Sequence, residues 1–79
     1  MTTEELQDTI IAVAAKACNA DPATVTLDTR WREDLSVKSV YTMKICALIK
    51  LRVGVDVNPA DLAGNETIAD TVALVQSRL

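Results

Sequence analysis

The chain has 79 residues, 49% of them apolar, with Trp31 and Tyr41 as its only aromatics, no histidine and a net charge of −3. That length makes one domain, residues 1–79, whose modest core has to be built from Val, Ile, Leu and Ala, near the size where stability is thin. The negative balance excludes a phosphate-backbone footprint and so argues against nucleic acid as a partner.

No apolar run is long enough to span a membrane and no signal-peptide pattern is present, so the expectation is a monomer in the cytoplasm with no membrane contact. Cys18 and Cys46 both fall inside helical apolar patterns and are expected as buried free thiols in a reducing compartment. Two cysteines without a histidine are too few ligands for zinc, and no metal site is expected.

In chain order, Thr2-Thr3-Glu4-Glu5 offers a capping box, with acids in the first turn where the helix dipole favours them. Leu6, Ile10, Val13, Ala14 and Ala17 then recur as one buried stripe, which predicts a helix over about 3–18 with Asn19 as its left-handed cap. From Ala20 to Lys38 the isolated apolar residues Val25, Leu27, Trp31 and Leu35 keep no period, and the segment reads as a long loop pinned to the core. A second helix is predicted over about 39–53, opened by Ser39 as N-cap and stopped by Gly54. It carries two apolar stripes. Ile45, Cys46, Ile49 and Val53 supply the inner one, which leaves Val40, Met43, Ala47 and Leu51 for a partner.

Asn58-Pro59 then starts a short helix over about 59–63 that stops at Gly64. Thr67 and Asp70 make a last capping box, and Ile68, Val72, Val75 and Leu79 recur alongside Leu74, which predicts a helix over about 67–78. With no strand signal, the fold class is all-α: three main helices, one short helix and a long first loop.

The chemistry centres on Ser39. A serine before a helical run is most often a cap and nothing more. No base is available to activate it: there is no histidine, and Glu33 and Asp34 read as loop solvation and capping groups, so no catalytic residue is expected. The run Trp31, Asp34, Leu35, Lys38, Ser39, Val40 nonetheless resembles the acyl carrier protein signature, an aromatic, then Asp, Leu, Gly and Asp-Ser-Leu. The resemblance covers nearly the whole chain, because the flanking segments match that family in order and length. It implies an acyl-carrier-like four-helix bundle whose long first loop is ordered and plugs the bundle end. It also implies a 4′-phosphopantetheine arm held covalently on Ser39, with acyl groups carried as thioesters on its thiol. The partners implied are a phosphopantetheinyl transferase and the acyl-transferring or ligating enzymes of a fatty-acid, polyketide or related pathway. A helix N-terminus suits the phosphodiester such an arm brings.

Where the family usually has Asp before the serine and Leu after it, this chain has Lys38 and Val40. Lys38, Lys44, Lys50 and Arg52 share the segment 38–52 with no acid, so that segment carries +4 and the rest of the chain −7. The expected docking surface is therefore Lys38, Val40, Met43, Lys44, Ala47, Lys50 and Leu51, an apolar stripe rimmed by positive charge and matched to partners with acidic docking sites. The alternative is an unmodified, carrier-like interaction module that docks through the same helix, and Lys38 is the residue that favours it.

Overall fold

Three reciprocal capping boxes fix where helices begin. At the first, Thr2 Oγ1 accepts the Glu5 N–H (3.1 Å) while the Glu5 carboxylate accepts the Thr2 N–H (3.0 Å). Asn58 with Asp61 and Thr67 with Asp70 repeat the arrangement. Each satisfies donors that a helix start leaves without an intrahelical acceptor. The computed structural model describes residues 1–79 and contains α1 (Thr3–Ala17), a 3₁₀ turn (Pro22–Thr24), α2 (Ser39–Val53), α3 (Pro59–Ala63) and α4 (Ile68–Ser77). There is no strand, and one isolated antiparallel bridge joins Arg30 to Thr67.

α1 is the central element, packing against both α2 and α4, while α3 packs on α2. Its predicted stripe, Leu6, Ile10, Val13, Ala14 and Ala17, is buried throughout, with Ala15 added. Ile45 and Ile49 of α2 and Ile68, Val72 and Val75 of α4 close the core from the other sides. α2 ends as expected at Gly54, whose φ of 80° is left-handed and lets its N–H reach the Lys50 carbonyl at 3.0 Å.

The long loop is ordered because its backbone completes α4. The Thr29 carbonyl accepts the Ile68 N–H (3.0 Å) and the Leu27 carbonyl accepts the Ala69 N–H (2.9 Å), so with Thr67 capping Asp70 the first three donors of α4 are all satisfied. In return the Trp31 N–H donates to the Glu66 carbonyl at 3.0 Å. Trp31 is only 4% exposed, and its indole N–H donates to Thr71 Oγ1 at 2.9 Å. Ser36, at φ 52°, turns the chain so that the Val37 N–H donates back to the Trp31 carbonyl at 3.0 Å.

Some sequence expectations need correction. α1 stops at Ala17, with Cys18 as its C-cap, and Asn19 follows in the left-handed region at φ 54°. α4 excludes Thr67, which is its cap, and Arg78, which donates to Asp61 (2.8 Å) and to the Asp56 carbonyl (3.0 Å). Leu79 lies beyond α4 and is exposed, so it does not extend the buried stripe. Cys18 and Cys46 are free but half-buried, and desolvation pushes both thiols up from the ordinary cysteine range.

Candidate functional site around Ser39

The first correction at the site concerns Ser39 itself. It is not the N-cap of α2 but its first residue, and the cap is Lys38, in extended backbone (φ −103°, ψ 162°). A lysine side chain has donors and no acceptor, so it cannot cap, and no side-chain cap bond forms. The Tyr41 and Thr42 N–H groups both turn to the Lys38 carbonyl (2.9 and 3.2 Å), leaving the Ser39 and Val40 N–H groups without a protein acceptor. α1, α3 and α4 all carry full capping boxes, so α2 is the helix whose positive end is left open. Ser39 sits on that end, exposed to solvent.

The loop before it is held by Arg30. The Asp34 carboxylate accepts the Arg30 backbone N–H at 2.8 Å and its guanidinium at 3.3 Å, and Glu33 pairs with the same guanidinium. The backbone bond from Arg30 is the main cause holding the Asp34 carboxyl below its usual range, with the guanidinium adding to it. Asp34 thus caps a loop N–H, as expected of it, both acids remain exposed to solvent, and both also pair with the Arg30 guanidinium. Neither lies free to take a proton from Ser39. What remains is an exposed alcohol on the positive end of a helix, able to bear a phosphodiester and without the base that nucleophilic catalysis needs.

Beside Ser39 opens a cleft of about 300 Å³, walled by α2 (Ser39, Thr42, Ile45), α3 (Pro59, Leu62, Ala63), the loop and its last residue before α2 (Trp31, Arg32, Val37, Lys38) and Asn65. Its back is apolar, since Trp31 and Ile45 are core residues, and its mouth carries the cations Arg32 and Lys38. A second cleft of about 260 Å³ adjoins it, sharing Arg32, Ala63 and Asn65 and bounded by Arg30, Glu33, Gly64 and Glu66. The sequence reading missed Arg32, Thr42 and Asn65. Their only signal is tertiary, because the wall is assembled from segments that share no period.

On the outer side of α2 the structure leaves Val40, Met43 and Leu51 at 67%, 69% and 79% exposure, with Ala47 also exposed, while Ile45 and Ile49 are buried. Lys38, Lys44, Lys50 and Arg52 are all exposed. The expectation that these cations lack a counter-charge fails for one of them: Lys50 pairs with Asp56 at 3.2 Å.

The phosphopantetheine attachment site family matches residues 8–75. The chain belongs to that family. Its domain carries the 4′-phosphopantetheine cofactor and works as a carrier, not as a catalyst. Among individual proteins, the chain is similar to the acyl carrier proteins of Rickettsia typhi and Rickettsia prowazekii, at 27% identity over 77 residues, which cover 98% of this chain and 90% of each relative. The acyl carrier protein of Rickettsia canadensis is 26% identical over the same span. The all-helical bundle agrees with that membership, and no helix is long and apolar enough to cross a membrane.

Proposed function

We propose that this chain is an acyl carrier protein that bears its 4′-phosphopantetheine arm on Ser39 and serves a specialised fatty-acid, polyketide or related biosynthetic pathway. The observation that carries the reading is the open N-terminus of α2: an exposed serine hydroxyl beside two unpaired backbone N–H groups, at the mouth of a cleft, within the matched family region. A phosphodiester on Ser39 would find there the positive helix end, the N–H groups of Ser39 and Val40, and the Lys38 ammonium. The arm supplies the thiol on which an acyl group is held as a thioester, and the chain's part is to present it. Loading and unloading fall to separate enzymes, a phosphopantetheinyl transferase first, which meet the carrier at Lys38, Val40, Met43, Lys44, Ala47, Lys50 and Leu51. The reading includes a monomer working in the cytoplasm, in keeping with two unpaired thiols.

Lys38 favours a second reading, in which the bundle is never modified and acts only as a docking module. Incubation of the apo protein with coenzyme A and transferases of narrow and broad specificity separates the two. The expected result is a mass gain of one phosphopantetheine that disappears in Ser39→Ala, with the broader transferase faster because Lys38 repels a docking site built for an acid. No mass gain with any transferase, or a gain that survives Ser39→Ala, overturns the carrier reading.

A further inference from the structure

The outer face of α2 is apolar, unused by the core and charged unevenly, and the unevenness identifies its partner. At about 100° per residue, Val40, Met43, Ala47 and Leu51 fall within about 80° of one another and form a strip about 16 Å long. Three of these side chains are at least 67% exposed, and clustered apolar exposure of this kind marks an interaction surface. The strip's two flanks differ. On the flank shared with Met43, Lys50 is neutralised by Asp56, which α2's C-terminal connection brings to 3.2 Å. On the opposite flank Lys44 has no ion pair, and at the Ser39 end neither do Lys38 and Arg32; the acids next to them in sequence, Glu33 and Asp34, both pair with Arg30. α2 itself contains no acid.

We infer that this face docks a protein partner whose apolar groove carries Asp and Glu where it meets the cations without ion pairs, Lys44 beside the strip and Lys38 and Arg32 at its Ser39 end. The inference deepens the carrier reading by naming the chemistry of the enzymes that read Ser39. It does not depend on the arm being present. Rim charges of this kind steer association and suppress partners of like charge, and their effect is screened by salt. The same face therefore excludes partners whose carrier-facing rim is basic.

The test uses the unmodified, ¹⁵N-labelled full chain and two designed amphipathic helical peptides that share one apolar face, one flanked by Glu and the other by Lys. The Glu-flanked peptide is expected to shift the amides of Val40, Met43, Lys44, Ala47 and Leu51, with affinity falling as salt is raised. Reversal of Lys38 and Lys44 to Glu is expected to weaken it about 2- to 30-fold, from two exposed pairs at surface strength, and to favour the Lys-flanked peptide instead. Lys16→Glu, an exposed cation on α1 outside this face, is expected to stay within about twofold of the parent. Circular dichroism checks that each variant keeps its helices.

The inference is overturned by equal binding of the two peptides, by no saturable response to the Glu-flanked peptide, or by Lys16→Glu costing as much as the double reversal. Binding of vesicles containing anionic lipid without any response to the acidic peptide also overturns it and assigns the face to a membrane surface. Because Ser39 is unmodified throughout, failure of phosphopantetheine transfer would sink the carrier reading and leave this result standing.

Discussion

Thr71→Val tests the contact that ties the loop carrying the Ser39 approach to α4. Thr71 is fully buried, and its hydroxyl accepts the Trp31 indole N–H at 2.9 Å and the Asn65 side-chain N–H at 3.1 Å. Valine keeps the shape and removes the acceptor. Trp31 is 4% exposed, so its indole N–H would be left buried and unpaired, at a cost of about 1–3 kcal/mol. Asn65 is only half-buried and can turn to water, so its loss adds less. A total near 2 kcal/mol is a large share of the roughly 4–12 kcal/mol typical of a chain this long. It corresponds to a fall in Tm of roughly 8–16 °C.

The assay is urea unfolding followed by far-UV circular dichroism, because Trp31 is the only tryptophan and its fluorescence would respond to the lost bond itself. The decisive comparison is a cycle with Trp31→Phe, which removes the indole donor. If the indole bond sets the cost, Thr71→Val should cost much less in the Trp31→Phe background. The same cost in both backgrounds, or a cost within about 0.5 kcal/mol in the parent, would refute the reasoning.

Trp31→Ala, which empties the plug, is expected to cost about 3–5 kcal/mol by the same assay, with a midpoint near the parent's counting against it. Acid should weaken the fold through the helix starts. Asp70 is held below the ordinary carboxylate range by backbone N–H bonds from Thr67 and Glu66, Asp61 chiefly by the Arg78 guanidinium, and Asp34 chiefly by the Arg30 N–H. Folded values below unfolded ones mean that this stability is fully present above about pH 4 and is lost as pH falls from there through the lowered values. The urea midpoint of Asp70→Asn should consequently fall less steeply than the parent's between about pH 4 and pH 2, and parallel curves would contradict the assignment.

Periodic features were legible in the sequence because one rule, burial of a stripe at helical spacing, governs them locally. Leu6 to Ala17 in α1, Ile45 with Ile49 in α2 and Ile68 to Val75 in α4 all obey it. Two capping boxes and the short helix after Asn58 were legible for the same reason, since their donors and acceptors lie three residues apart. What stayed hidden was tertiary. The loop carbonyls of Leu27 and Thr29 complete α4 from some forty residues away. The Lys50–Asp56 pair depends on how the chain turns after Gly54, and the cleft depends on α3 leaning against α2. The half-burial of both cysteines likewise follows from the small diameter of the bundle, which leaves the edge of each apolar stripe within reach of water.

The displacement of Ser39 by one position, from cap to first helical residue, is the error with the most chemical content. An N-cap serine spends its oxygen on the N–H groups of the second or third helical residue, which is why such a residue stabilises a helix by about 0.5–2 kcal/mol. At the first helical position that oxygen is released, and the capping position passes to Lys38, whose side chain has nothing to accept with. α2 forgoes the stabilisation that α1, α3 and α4 all take, while Ile45 and Ile49 in the core hold the helix in place regardless. The two unpaired N–H groups remain solvated and cost little while exposed, yet they keep the helix's positive end directed at whatever the Ser39 oxygen is joined to. For the proposed carrier this is the required arrangement. The serine has to be free to form an ester bond, and the helix start has to favour the anion that the bond brings.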